Sequence, residues 1–218
     1  MYYHASQTKG IETLEPRVSN HNKPLIYFSN KRENVLVYLS NAVEKFCKEN
    51  NFNYNGIWSK WASYGFTKDG ILEIQEYYPN ATYETYYGVS GYIYSVENIP
   101  NIEKQKDIPN VFHTSENVKV TGSEYINDAY EEIQNEIKKG NIVLIKYEDF
   151  IKTKKDWLYK TIQKEYDEAT DHPEYRYFLI NKFPFIKKWL LSKNIFIIIT
   201  ILIEERYNET NDKQTKKN

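Results

Sequence analysis

Cysteine is nearly absent from this chain of 218 residues, and so is any excess of charge of one sign. Cys47 is the single cysteine, which excludes an internal disulfide framework and a zinc site with several cysteine ligands. The 29 Lys and Arg residues are balanced by 30 Asp and Glu residues, for a formal net charge of −1. Such a balance provides no general field that would attract nucleic-acid phosphates, so electrostatic DNA binding has no support.

The short motifs of several enzyme classes are also missing. The chain contains no G-x-x-x-x-G-K-[ST] phosphate loop, no G-x-G-x-x-G fingerprint, no H-E-x-x-H pair and no G-x-S-x-G elbow. Its four histidines are scattered, and no metal site is predicted from them; they are His4, His21, His113 and His172. Common nucleotide-fold, metalloenzyme and hydrolase interpretations therefore have no motif to rest on.

Long hydrophobic runs are rare as well. The longest covers residues 195–203 and is interrupted only by Thr200. A helix that crosses a bilayer needs about 20 apolar residues, so we expect no stable membrane insertion. We predict a buried helix or strand here, with an oligomer contact through the C-terminal lobe as an alternative. The residues after Met1 show no basic and then apolar leader, which predicts a cytoplasmic protein.

What the chain does contain in abundance is tyrosine, with 21 residues, and aromatic side chains make up 16% of the sequence. Tyrosine suits half-buried strand surfaces, and its codons are common in AT-rich genes, so a structural role accounts for most of it. The functional alternative is a stacking surface for bases or for a nucleotide ring. Composition alone favours the structural interpretation.

Hydrophobic patterning predicts an α+β protein with a change of character near residue 150. Apolar positions over 32–49 have helical spacing, and Cys47 lies on that stripe as a small buried residue. Ser123 is a plausible N-cap for a helix over 124–139. The other predicted elements are strands at 2–5, 25–29, 71–78, 91–96, 117–120 and 142–147, a helical turn at 10–14, and helices at 153–166, 173–181 and 186–207.

This pattern predicts three segments. Residues 1–150 would form the α+β domain, 151–207 a helical C-terminal lobe, and 208–218 a polar, disordered tail.

One stretch near the start of the chain carries a family signal. A strand with His4-Ala5-Ser6 is followed by Gly10-Ile11, Leu14, Pro16-Arg17, the strand Ile26-Tyr27-Phe28-Ser29, and Tyr38 eleven residues beyond Tyr27. In order and approximate spacing, residues 2–47 resemble the nicotinamide-binding half of the ADP-ribosyltransferase superfamily, in its poly(ADP-ribose) polymerase-like branch. The resemblance implies a split antiparallel β-sheet of the ADP-ribosyltransferase type, with NAD as the substrate.

The resemblance also implies roles for individual residues. His4 would bond the ribose, the main chain of Ala5 would hold the carboxamide, and Tyr27 would line the nicotinamide ring. The two remaining cofactor contacts would be Tyr38 on the same ring and Arg17 near the pyrophosphate or adenosine. Ser6 would support the turn. An aromatic face suits a cationic pyridinium, and phosphate suits a guanidinium fork.

The chain departs from the family pattern at three points. Ala5 replaces the usual glycine, and Val35 stands where a carboxamide-binding serine is expected. The catalytic glutamate has two candidates: Glu116 precedes a predicted strand, and Glu124 lies in the first turn of a predicted helix, where the helix dipole also favours an acid.

The function implied is glycosyl transfer, in which the nicotinamide–ribose bond of NAD is cleaved and ADP-ribose passes to an unknown macromolecular acceptor or to water. Positive charge develops on the sugar, so a nearby carboxylate is needed. An RNA 2′-phosphotransferase-like enzyme is a weaker alternative, because such enzymes use several arginines and this chain has few: Arg17, Arg32, Arg176 and Arg206. A non-catalytic nucleotide-binding or protein-interaction module is the third.

Overall fold

The computed structural model describes residues 1–18, 23–54, 63–106 and 108–193. The chain divides into two compact units, of which the first ends at Tyr159 and the second begins at Lys160. Within the described ranges, no helix is both long and apolar enough to cross a membrane. The apolar run 195–203 and the tail 208–218 lie outside the described residues, and the predicted boundary at residue 150 stays a prediction.

The first unit has a mixed α+β fold built on a largely antiparallel sheet. Seven strands of the described part form this sheet: β1 Tyr2–Ser6, β3 Arg17–Val18, β4 Pro24–Ser29, β7 Gly91–Val96, β8 Glu103–Lys104, β9 Val111–Thr114 and β11 Gly122–Ile126. Their order is β11-β7-β1-β4-β9-β8, with β3 paired to β4. The predicted strands near 2–5, 25–29 and 91–96 are confirmed.

The two faces of this sheet bury different apolar groups, as expected from the alternation of side chains along a strand. Ile26 and Phe28 point into one core, with Leu14, Val96 and Val118. Ala5, Ile93 and Ile126 belong to a second core that also contains helical residues. The sheet is therefore covered on both sides.

Two smaller sheets complete the β-structure described here. Strand β2 (Thr13–Leu14) pairs with β10 (Val118–Lys119), so the helical turn predicted at 10–14 is wrong. Strands β5 (Ser63–Phe66) and β12 (Ile142–Ile145) flank β6 (Leu72–Gln75), antiparallel and parallel respectively. The parallel pair was not predicted.

The helical stripe at 32–49 is divided into two helices. A 3₁₀ helix spans Arg32–Leu39, and α1 spans Ala42–Glu49. Ser40 is extended, and the Asn41 side chain accepts hydrogen bonds from the main-chain N–H groups of Val43 and Glu44, so a new helix begins there. Cys47 is fully buried, which confirms its predicted place in the core.

The helix predicted at 124–139 begins later than expected. Residues 122–126 form β11 in register with β7, and α3 spans Ala129–Lys138. Asp128 is the N-cap in place of Ser123, because its Oδ1 accepts from the N–H groups of Tyr130 and Glu131. Its Oδ2 also accepts from the N–H of Gly88, whose φ is +71°.

The remaining helices of the described chain lie between or after these strands. Helix α2 spans Ala81–Tyr86, and Lys45 of α1 donates through Nζ to the carbonyl oxygens of Glu84 and Tyr87 at its end. Helix α4 spans Tyr147–Glu168, starting earlier than predicted, and α5 spans Pro173–Lys182, where proline is tolerated in the first turn. A further helical stretch covers 185–193.

Candidate functional site

The neighbouring strands β1 and β4 share only one position of their register, Tyr3 opposite Ser29. By contrast, all five residues of β1 pair with β7. The ladder between β1 and β4 therefore stops just before His4, and Ala5 has its register partner in β7 alone. We call this place, where the ladder has ended and the His4 ring contacts the main chain of Tyr27, the β1–β4 notch.

His4 contacts the far side of the notch with its ring. Its Nδ1 atom lies 2.9 Å from the main-chain carbonyl oxygen of Tyr27. A carbonyl oxygen only accepts, so Nδ1 carries the proton and donates it. Burial lowers the pKa of His4, with a smaller lowering from the charge of Arg17, while the bond to Tyr27 opposes the shift. The imidazole is therefore neutral near pH 7 and its Nε2 atom is a hydrogen-bond acceptor.

Two other residues predicted near the cofactor, Ser6 and Arg17, lie at the end of β1 and on β3, respectively. Ser6 Oγ accepts from the N–H of Thr8 at 3.1 Å, in the turn that follows β1. Arg17 lies on β3 opposite Leu25 and is exposed. Its positive charge contributes to the lowering of the pKa of His4.

The two predicted tyrosines are packed against different rings. The Tyr27 ring lies edge-on to His113, its cross-strand neighbour on β9, with centroids 5.9 Å apart. The Tyr38 ring lies edge-on to Tyr64 at 5.5 Å, and 46% of Tyr38 remains exposed. Burial of its hydroxyl raises the pKa of Tyr38, and a hydrogen bond with Tyr64 opposes this. The structure thus brings the main chain of Tyr27 to His4, while Tyr38 offers a separate exposed aromatic face.

The two candidate glutamates occupy different places. Glu116 is exposed in the turn between β9 and β10, where its N–H donates to Thr114 Oγ1. Glu124 lies on β11 opposite Ile93 of β7, and Ile93 is opposite Ala5 of β1. Strands lie about 4.8 Å apart, so Glu124 lies about 10 Å from Ala5 across β7. Residues opposite one another in register share a face of the sheet, so the Glu124 side chain lies on the face of Ala5 and Ile93. The His4 ring lies on the other face, beside Phe28, and the structure therefore does not bring it together with the Glu124 carboxylate. The expectation that Glu124 begins a helix is wrong, since it is a strand residue paired in the main sheet.

Glu124 is also the centre of an ion-pair cluster. Arg32 Nε donates to Glu124 Oε2 at 2.8 Å, and its Nη2 donates to Oε1 at 2.6 Å. The Arg32 Nη1 atom lies 2.7 Å from Glu132 Oε1 and 3.9 Å from Glu136 Oε1, both on α3. The bonds from Arg32 lower the pKa of Glu124, so the carboxylate is ionised at neutral pH.

A small cavity of about 160 Å³ opens beside this carboxylate. Most of its lining is polar, and it comes from the end of β11 and the first turns of α3; the residues are Glu124, Tyr125, Ile126, Asn127, Asp128, Glu131, Glu132 and Asn135. In the described ranges, no group of three or more His, Cys, Asp or Glu side chains is arranged to hold a metal ion. The cavity adjoins Glu124 rather than His4.

Sequence reasoning missed the part played by Arg32. It is separated from Glu124 by 92 residues, and no local pattern connects a cation at the start of a 3₁₀ helix with a distant strand. Comparison of the chain with protein-family models, with curated proteins and with solved structures finds no match.

Proposed function

We propose that this protein is an NAD-dependent ADP-ribosyltransferase that cleaves the nicotinamide–ribose bond and passes ADP-ribose to a macromolecular acceptor or to water. The observation that carries the proposal is the β1–β4 notch, where Nδ1 of His4 donates to the main-chain carbonyl of Tyr27 and Nε2 is left as an acceptor. The split antiparallel sheet of this superfamily is proposed on the same ground, because the ladder of the main sheet opens at the residue that the resemblance assigns to ribose binding.

The tautomer of His4 suits the role of a ribose ligand. With the proton on Nδ1, Nε2 is left to accept a hydrogen bond from a sugar hydroxyl. A cationic imidazolium could not accept that bond and would repel the positively charged nicotinamide ring of NAD. The lowered pKa of His4 keeps the neutral form at physiological pH.

The main chain of Ala5 suits the carboxamide. Its register partner is Ile93 of β7, and no residue of β4 pairs with it. A small side chain at this position also allows a close approach to the strand. In the proposal, the exposed face of Tyr38 covers the cationic nicotinamide ring, Tyr27 borders it, and Arg17 approaches the phosphates.

Glu124 is the carboxylate we assign to the reaction. The bond between the ribose C1′ and the nicotinamide nitrogen breaks with its electron pair going to nicotinamide, which leaves neutral. The resulting cationic sugar carbon is stabilised by an anionic group until the acceptor attacks and loses its proton. Glu124 is ionised and about half exposed, and it lies on the face of the sheet that contains Ala5 and packs against the 3₁₀ helix of Tyr38. Glu116 lies in a turn after β9.

The RNA 2′-phosphotransferase alternative receives less support. Arg32 is engaged by three carboxylates, and Arg176 donates to the carbonyl oxygen of Tyr166 in the second unit. Arg206 lies outside the described residues. Of the four arginines, Arg17 is the one described as exposed on a strand near His4, which is too few for a phosphate cleft of that kind.

The proposal is tested by nicotinamide release from NAD in two isosteric variants, Glu124→Gln and Glu116→Gln. Both remove one exposed carboxylate charge and change no volume. We expect E124Q to lose about 100- to 1000-fold in rate and E116Q to behave like the wild type. His4→Ala should lose turnover as well, while its melting temperature shows whether the fold is kept. Wild-type protein that neither releases nicotinamide nor is stabilised by NAD would overturn the proposal and favour a module without catalysis.

A further inference from the structure

Glu124 of β11 belongs to an ion-pair network with Arg32 of the 3₁₀ helix and two carboxylates of α3. The Arg32 guanidinium contacts Glu124 with two of its nitrogens and the α3 carboxylates with the third. Such a two-point contact fixes both the distance and the plane of a carboxylate, which a single ammonium contact does not. Arg32 itself is only about one-quarter exposed, whereas Glu124 is about half exposed, so Arg32 is the better anchored partner.

Arg32 is in turn held in place by α3. Its Nη1 atom lies 2.7 Å from Glu132 Oε1 and 3.9 Å from Glu136 Oε1. Glu136 is buried and accepts hydrogen bonds from Lys139 and Asn141, each at 2.7 Å. The contact of Nη1 with Glu132 therefore holds the guanidinium against α3, and Nε and Nη2 donate to Glu124 on β11.

We propose that Arg32, held by Glu132, is the positioning residue that orients Glu124 toward the developing sugar cation, a role that rests on the proposed function. A side chain on an edge strand that is half exposed has several rotamers open to it. The fork of Arg32 selects one of them, beside the cavity that Glu124 lines. Arg32 does not touch the substrate in this scheme and acts through Glu124 alone.

The test compares Arg32→Gln, Arg32→Lys and Glu132→Gln in the full chain. Lys48→Gln is the matched control, because Lys48 forms an exposed pair with Glu44 on α1 and its loss changes the net charge equally. We expect R32Q to lower kcat for nicotinamide release about 100-fold with little change in the KM for NAD, since misplacement of a reacting group by about 1 Å has an effect of that size. R32K should recover part of the rate, E132Q should show a smaller loss in the same direction, and K48Q should match the wild type.

A pH profile separates positioning from simple loss of fold. The charged groups around Glu124 are Arg32 from the 3₁₀ helix and, from α3 and its cap, Asp128, Glu131, Glu132 and Glu136. Removal of Arg32 leaves mainly like charges near Glu124, so the acid limb of the kcat profile should move to higher pH in R32Q. An R32Q variant with wild-type kcat and an unmoved acid limb would overturn the inference.

Titration of Glu124 by NMR, with no NAD present, distinguishes this inference from the proposed function. If the wild type fails to cleave NAD, the proposed function falls, and the coupling of Arg32 to Glu124 is still measured directly. We expect the pKa of Glu124 to be higher in R32Q than in the wild type and unchanged in K48Q. An equal pKa in R32Q and the wild type contradicts the inference whatever the activity.

Discussion

His4 is bonded to the main chain of Tyr27, through Nδ1 and the carbonyl oxygen at 2.9 Å, and not to its phenol group. Because the acceptor is a main-chain atom, this hydrogen bond does not require a tyrosine side chain at position 27. It fixes which ring nitrogen carries the proton and leaves the second nitrogen as an acceptor. A substitution of Tyr27 therefore tests the aromatic ring alone, while a substitution of His4 tests the acceptor.

The burial of His4 predicts a pH dependence of stability. Its pKa in the folded protein lies below the ordinary value of 6.5, so the unfolded chain takes up the proton at higher pH than the folded protein. The free energy of unfolding is thus unaffected by this group well above pH 6.5 and decreases as the pH falls from 6.5 toward the folded pKa. The variant His4→Gln has no titrating imidazole and therefore lacks this pH-dependent contribution to the free energy of unfolding. Urea denaturation of both proteins at about pH 7.5 and about pH 5 measures the contribution.

We expect wild type to lose stability relative to H4Q on going to the lower pH. A constant difference between the two proteins at both pH values would show that His4 titrates normally in the fold.

Tyr38 and Tyr83 form a matched pair for the test of nicotinamide binding. They are 46% and 43% exposed, and each has an aromatic neighbour. Loss of a cation–π face corresponds to about tenfold weaker binding, so Tyr38→Ala should raise the Kd for NAD by that factor and Tyr38→Phe should leave it nearly unchanged. Tyr83→Ala is the control, with calorimetry as the measurement. Equal weakening by Y38A and Y83A would assign the effect to general loss of packing.

Gly91, where β7 begins, has no room for a side chain. A Cβ atom there would lie 2.6 Å from Leu39 Cδ2 and 3.0 Å from the carbonyl oxygen of Ser6. Leu39 is fully buried and cannot move aside freely, so Gly91→Ala should destabilise the protein by about 1–3 kcal/mol. A Cβ atom added to Gly65 of β5 would have no atom within 4 Å, so Gly65→Ala is the control in urea denaturation. Similar midpoints for the two variants would contradict the close contact at Gly91.

Asp128 and Asn41 cap α3 and α1 in the same manner, but Asp128 has an additional bond to Gly88. Loss of a cap costs about 1 kcal/mol, so Asn41→Ala should show that value and Asp128→Ala more. Asp128→Asn keeps one acceptor oxygen for the cap and should fall between the wild type and D128A. Chemical denaturation gives the order; equal losses for D128A and N41A would mean that the bond to Gly88 contributes nothing.

The parts of the fold that were predicted correctly are those with a strong local pattern. The alternation around Tyr27 and the segment 91–96 specify strands whatever their neighbours, and the apolar stripe containing Cys47 specifies a helical face. The division at Ser40 was missed because a good cap, Asn41, restarts the helix inside a continuous stripe.

Glu124 illustrates the limit of local sequence information. The run from Glu124 to Lys139 has helical composition, and yet its first residues pair with β7 because that strand presents an unfilled edge. Pairing of this kind is set by the whole sheet and has no local signature. The same holds for the salt bridge with Arg32, and for the single position at which β1 meets β4.

Lys45 shows how one charged side chain can serve a helix other than its own. Its ammonium group donates hydrogen bonds to carbonyl oxygens at the carboxyl end of α2. The Nζ atom also lies 3.8 Å from Oε1 of Glu49, a counter-ion on α1. The negative end of the α2 dipole is thus neutralised by a group from its neighbour. Acetylation of this amine would abolish the charge and two donors at once, so the docking of α1 onto α2 is sensitive to a modification that most surface lysines tolerate.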